Sequence, residues 1–483
     1  MKLRKFVETT LSTGRLYNLF AKHSQIYRST VDNSLYFTYK LSDSPLLLSE
    51  KNVCNAIVKL EAHYFHRTVQ ASVAKEVYTT IKASAEDCTD YKTIAKLICR
   101  CGDTIYYDFN NPYKVLRISS DGVYEVNREE SEVLFIRDSK SNNIPLRINN
   151  GVLTDDFLPM LKGIFHVQND QLLLLAVYII ALFVPDINHP LLVIDGEYGA
   201  GKSFALKLIS RIIDRSRSIE MLPAKLDDIA NILNDNYFTA FDNVGYITKA
   251  VSDLLCVAVT DGNYSKRKLF SDTEVVSLNI HKPVAINGLG LNLTQSDLLD
   301  RVIILFFERI NDSERVDEAV LYTRFDQKLP KLLSIIFLVL KKALPNFNTV
   351  SLKSLPRLAD FGKVGYCIAE ALHEGYGEEF LKQYRKNISS ARHTAIANNP
   401  LLDTIEMFMS DKTSWTGSMT ELLQELKKLY LENSVSDRLP TSFPLAPNTL
   451  SKKLKVYQND LKELKIKYEF FKKTTRGIII TKE

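Results

Sequence analysis

"DGEYGAGKSF", residues 195–204, decides the fold. It satisfies the pattern G-x-x-x-x-G-K-[ST] with Gly196, Gly201, Lys202 and Ser203, the intervening residues being Glu197, Tyr198, Gly199 and Ala200. The apolar run "PLLVID" (190–195) precedes it, and "KSFALKLISRIID" (202–214), with apolar residues at helical spacing, follows. A strand, a glycine-rich turn and a helix in this order make a cradle for phosphate. Glycines let the backbone bend around an anion and aim N–H groups inward, and the helix start adds its positive dipole end. Lys202 would reach the β- and γ-phosphates, and the Ser203 hydroxyl would bind Mg²⁺. The alternative is a chance glycine-rich connection, against which the flanking strand and helix both argue.

Downstream, apolar runs continue to alternate with helical patterns: "YFTAFD" (237–242), "AVSDLLCVAV" (250–259), "KPVAIN" (282–287) and "RVIILFFERI" (301–310). Such alternation predicts an α/β sheet covered on both faces. The strand ending at Asp242 lies about forty residues after Lys202, where a magnesium-holding carboxylate belongs. Asn243 follows it. An amide can orient water but cannot take a proton, so hydrolysis needs another group or runs slowly. Asn287 ends the next strand and is suited to sensing a γ-phosphate, and Arg301 opens the last one, where it could neutralise charge on a transferred phosphoryl group. Its alternative role is a salt bridge with Asp300.

At 483 residues the chain exceeds one core. Residues 1–165 read as helical, then β-rich, with an antiparallel sheet from Asp103 to about Ile148. Residues 166–312 form the α/β core, 313–404 a helical region and 405–483 a last unit. Hydrophobic content of 45% and charged content of 25% are those of a soluble globular protein, and exclude a fibrous or disordered one. The run "LLLLAVYIIALFV" (172–184) is about two-thirds of the roughly 20 residues that span a bilayer, so a buried helix is expected and no membrane contact. Six scattered cysteines lack zinc-ligand spacing, and with no secretion signal a cytoplasmic protein with reduced thiols is expected.

The motifs "GEYGAGKS", "FDNV", "KRKLF", "AINGLG", "LLDRVIIL" and "LPRLADF" together resemble the AAA+ helicases of mobile elements. They are most similar to the MCM-like, self-loading replication helicases of staphylococcal pathogenicity islands and resistance cassettes, and more distantly to viral superfamily-three helicases. The resemblance covers about residues 165–483. It implies a P-loop AAA+ ATPase core with a helical lid, ATP and Mg²⁺ as ligands, and a hexameric ring on DNA, with each site shared between neighbours. Arg301 would then be the finger entering the next subunit's site, and Arg357 a second sensor on the lid. Residues 1–165 match no part of the family.

Two segments are candidates for DNA contact. "SKRKLFSDTEVVSLNIHKP" reads as strand, turn, strand. In the resembling helicases a hairpin at this location faces the pore, where Lys266, Arg267 and Lys268 would follow phosphates. Its acidic tip leaves open a solvated hairpin instead. The tail reads as helix, helix from Pro447, then two strands, the winged-helix plan, with Lys452, Lys453, Lys455 and Arg476 as contacts to duplex DNA. From Ala446 onward, nine Lys and one Arg face one Asp and three Glu, a surplus above the whole chain's +5. The alternative is an inert lysine-rich face. The function expected is ATP-dependent origin recognition and unwinding. The alternative is an ATP-gated DNA-binding regulator or helicase loader.

Overall fold

The computed structural model describes residues 13–482, except residues 43, 138–145, 147, 150, 216–217, 261, 268–274, 292, 294, 435–437 and 473–475. At its centre five parallel strands lie in the order Glu220–Met221, Thr239–Asp242, Val284–Asn287, Leu191–Gly196 and Val302–Phe307. Ile194 pairs with Asn287, and Phe241 with Ile286, so Gly196, Asp242 and Asn287 end along one edge of the sheet.

Strands buried on both faces must be apolar throughout, which is why they appear as unbroken hydrophobic runs. Leu192, Ile194, Ile303 and Leu305 face helices Leu172–Ala181, Lys202–Ile213, Glu318–Ala343 and Ala359–Leu372. Leu191, Val193, Phe241 and Val302 face helices Leu226–Asp235 and Lys249–Val259, with Ala391 and Ala395 of helix Tyr376–Ala397. Full burial of each such large side chain contributes about 1.5–3 kcal/mol over exposure. The apolar run from Leu172 is the expected buried helix, and among the described residues no helix is long and apolar enough to cross a membrane.

Strand Val302–Phe307 is the sheet's edge; Val167 bridges to Phe307, Gln168 N–H donates to Phe306 C=O at 3.2 Å, and side chains complete the rest. The Asn387 amide, 8% exposed, accepts from Ile304 N–H at 2.9 Å and donates to Ile304 C=O at 2.6 Å, while Gln171 Oε1 accepts from Phe306 N–H at 2.8 Å. An edge closed this way offers no template to another strand.

Upstream, strands Leu46–Leu47, Leu35–Tyr39, Ser24–Ser29, Tyr91–Ala95 and Val133–Phe135 form a mixed sheet, in that order. Phe20, Ile26, Phe37, Ile57 and Val77 are fully buried between it and helices Thr13–His23, Glu50–Phe65 and Ala71–Ala85. The antiparallel sheet expected from Asp103 to about Ile148 consists of Ile98–Cys101, Thr104–Tyr107, Lys114–Ser119 and Gly122–Asn127; it begins one strand earlier and ends sooner, since Val133–Phe135 instead pairs parallel with Tyr91–Ala95 in the mixed sheet. Its inner residues share the main core: the Tyr107 ring packs on Phe183 and Phe337, and its hydroxyl donates to Ile213 C=O at 3.0 Å.

The C-terminal unit packs from Pro400 onward, a little ahead of residue 405. Helices Pro400–Phe408, Met419–Asn433 and Pro447–Val456 enclose Ile405, Leu422, Leu426, Leu450 and Leu454 against Ile466, Ile478 and Ile480. Strand Arg476–Lys482 lies between Ser414–Gly417 and Ile466–Lys472, antiparallel to both. A capping box, Ser418 with Glu421, starts the second helix, and Pro447 sits in the first turn of the third.

Candidate functional site

The glycine loop leaves strand Leu191–Gly196 at the carboxyl edge of the sheet, where parallel α/β sheets bind ligands. Gly196, Gly199 and Gly201 have φ of 140°, 77° and 72°. At Gly196 a Cβ would also stand 2.2 Å from Phe307 O, so glycine is required on both counts. Asp195 Oδ1 accepts from the N–H groups of Gly196, at 2.8 Å, and Gly290, at 3.3 Å, tying the loop to the end of the neighbouring strand. Lys202 folds over its own loop, donating to Gly196 O at 2.6 Å and Glu197 O at 2.8 Å.

Beneath the loop, residues from three strand or helix ends converge. Ser203 Oγ donates to Asp242 Oδ1 at 2.7 Å, and Asn287 Nδ2 donates to the same oxygen at 2.7 Å and approaches Ser203 Oγ at 3.3 Å. Asn287 is 2% exposed, and its Oδ1 accepts from Asn243 N–H at 2.6 Å. Asn243 stands at φ 53°, a left-handed conformation that asparagine tolerates better than glutamate. Chemically, Ser203 Oγ and Asp242 Oδ1 are spaced like neighbouring ligands of an octahedral Mg²⁺, which lie about 3 Å apart when each bond is near 2.1 Å.

Arg301 lies elsewhere. It precedes Val302, which pairs with Leu191, so it sits at the opposite end of the strands from Gly196. Five residues at about 3.3 Å put roughly 17 Å between those ends, more than an arginine spans. Its side chain is 12% exposed, and its guanidinium is bound to Asp297 at 2.6 Å. Arg357 joins it rather than its own glycine loop, pairing with Asp297 at 2.7 Å and Asp300 at 3.3 Å. Arg392 then links Asp300 to Glu463 of the C-terminal unit. Burial pushes the Asp297 carboxyl up, but its hydrogen bond from Arg301 and the charges of both arginines outweigh this and hold it below its ordinary value.

The candidate DNA contacts divide. Lys266 is tied to Asn231, and Tyr264 O–H donates to Asp227 at 2.7 Å, pinning the hairpin strand to helix Leu226–Asp235. Arg267 is exposed, and Lys268 and the hairpin tip lie outside the described residues. Lys452 and Lys455 are exposed on helix Pro447–Val456, Lys455 sitting 5.9 Å from the Phe470 ring centroid, whereas Lys453 donates to Ser442 C=O. The side chain of Arg476 lies outside the described residues.

Sequence reading missed one element at the site. The segment between Phe307 and Glu318 crosses the glycine loop and carries Arg309 and Arg315, both held by Asp312. Its polar run "ERINDSERVD" carries no signal of where it lies.

Residues 158–390 match the family model of the actinomycete integrative conjugative element replication protein, and residues 401–483 match the model of that protein's C-terminal domain. Both segments are similar to one replication-protein family. The sequence motifs likewise resemble a mobile-element replication protein, from a different class of element. No curated protein matches. Among solved structures, an apo form of the NrS-1 C-terminal region aligns over 98% of this chain and 99% of that one, with TM-score 0.43 and 12% identity. A JCV helicase structure with a bound small molecule aligns over 49% of this chain and 61% of that one, with TM-score 0.26 and 9% identity. At these scores the reading of the site rests on its own geometry.

Proposed function

We propose that the chain is an ATP-dependent DNA helicase and replication initiator, with a P-loop AAA+ core, a helical lid and a C-terminal winged-helix unit. The observation that carries this is the meeting of Ser203, Asp242 and Asn287 beneath the glycine loop, at the carboxyl edge of a parallel sheet. The match to a replication-protein family supports the DNA setting.

In this reading Lys202 exchanges its two loop carbonyls for the terminal phosphates of ATP, and the loop N–H groups cradle them. Ser203 and Asp242 would hold Mg²⁺, which would supply positive charge to the phosphates of a bound nucleotide. Asn287 keeps the Asp242 carboxylate aimed, and the exposed Asn243 orients water by amide contacts alone. Neither amide takes a proton, so turnover is slow compared with enzymes bearing a carboxylate there. Arg301 and Arg357, remote from the loop of their own chain, serve the site of a second copy, which makes a ring, hexameric by the resemblance, the functional unit. Lys452 and Lys455 face duplex DNA at an origin, while Arg267 meets single-stranded DNA.

Strand displacement of a forked duplex with ATP, beside Lys202→Ala, tests this. ATP-dependent unwinding abolished by the substitution is expected. ATP turnover without displacement would favour the second reading, an ATP-gated DNA-binding regulator or loader, which the amide at Asn243 recommends.

A further inference from the structure

The strap from residue 308 to 317 is fixed at both ends and touches the glycine loop in between. Glu308 N–H donates to His166 O at 2.9 Å at one end. At the other, Glu318 pairs at 2.8 Å with Lys207 of the helix that follows the loop, and Tyr322 packs on Phe204 of that helix, ring centroids 5.1 Å apart. Between them Ile310 N–H donates to Gly199 O at 3.4 Å, and Ile310 Cδ1 lies 3.3 Å from where a Cβ on Gly201 would stand.

Arg315 Nη2 lies 3.0 Å from the corresponding point at Gly199, so a guanidinium rests against the bare backbone of the cradle. Arg309 lines a cavity of ≈ 520 Å³ with Gly196, Glu197, Tyr198 and Phe306. Both arginines lean on one carboxylate, Asp312, at 2.9 Å from Arg315 and 3.8 Å from Arg309, and all three side chains are more than half exposed. Among the described residues neither Glu197 nor Glu308 pairs with them. Both ion pairs are solvent-facing, and an exposed pair of this kind separates at little cost. A triphosphate offers guanidinium groups several oxygens in bidentate geometry.

We propose that this strap is a phosphate clamp acting within its own chain: Arg315, assisted by Arg309, leaves Asp312 for the terminal phosphates of the nucleotide in the loop. The clamp rests on the reading of that loop as a triphosphate site. It gives each site a guanidinium of its own, apart from the pair at the far end of the sheet, and makes the strap a reporter of phosphate number.

Fluorescence titration of the full chain with ATP and with AMP tests this. Arg315→Ala should weaken ATP binding about ten- to a hundred-fold, as loss of a charge-assisted contact implies, and leave AMP unchanged. Arg315→Lys should recover part of the loss, and Asp312→Asn, which frees both arginines, should tighten ATP. Wild-type ATP affinity in Arg315→Ala, with affinity lost in Lys202→Ala, would overturn the clamp and leave the nucleotide site standing. Weaker ATP binding in Asp312→Asn, or equal loss of ATP and AMP in Arg315→Ala, would also overturn it. A wild-type chain that binds no ATP would remove the clamp and the site together.

Discussion

Asn287→Ala is the sharpest test of how the site is built. The side chain is 2% exposed and makes three contacts: to Asp242 Oδ1 at 2.7 Å, to Ser203 Oγ at 3.3 Å, and from Asn243 N–H at 2.6 Å. A hydrogen bond to a charged group contributes about 1.5–3 kcal/mol and a neutral one about 1 kcal/mol. Water entering the vacated space returns part of this, so a stability loss of about 2–3 kcal/mol is expected. The functional cost is larger. Asp242 loses one of its two orienting donors, and displacement of a site group by about 1 Å can cost a hundred-fold in rate. The lost amide touches the phosphate-binding motif only at Ser203 Oγ, at 3.3 Å, so ATP affinity should change by less than ten-fold while turnover falls about a hundred-fold. Urea unfolding, nucleotide titration and steady-state phosphate release read the three quantities separately. Turnover at the wild-type rate in a folded Asn287→Ala chain would refute the role of this amide.

The tail and the ionic network give two further tests. Replacing exposed Lys452 and Lys455 with alanine should weaken duplex binding and flatten the dependence of log K on log salt by about 0.9 per lost phosphate contact, measured by anisotropy across salt concentrations. An unchanged slope would move the DNA surface elsewhere. Burial, with a smaller contribution from the charge of Glu463, raises the Asp460 carboxyl to about 6 against the opposing charge of Arg392. Its folded value lies above the unfolded one of about 3.9, so ionisation opposes folding: the penalty is absent below pH 4, grows as pH rises towards 6 and is constant above. Asp460→Asn should therefore raise stability by on the order of 1–2 kcal/mol at pH 8, solvent screening allowed for, and change nothing at pH 4.

What sequence revealed of the site follows from how parallel sheets are built. Gly196, Asp242 and Asn287 each terminate an apolar run, and parallel pairing brings such ends together without further information. Residues on connecting segments carry no such guarantee. Arg357 was expected over the nucleotide as a lid sensor, yet its segment brings it to Asp297 beside Arg301, a position fixed by how the helices pack. Arg309 and Arg315 went unnoticed because a polar run after a strand does not say which way it turns. Lys266 and Lys453 looked like free cations, but each found a neutral oxygen in its own fold. Asn243 had read as a chemical deficit, and its φ of 53° adds a backbone reason for asparagine. The packing of Tyr107 into the main core was likewise hidden, since an inward aromatic on a strand does not name its partner.

Phosphate release from an equal mixture of Lys202→Ala and Arg301→Ala chains, on DNA and with ATP, probes the proposed two-copy site most directly. Each variant alone should be inactive. Mixed, they should regain a measurable fraction of wild-type turnover, because some interfaces join an intact loop to an intact Arg301. An inactive mixture of folded, associating chains, or an Arg301→Ala chain with wild-type turnover, would contradict a site built by two copies.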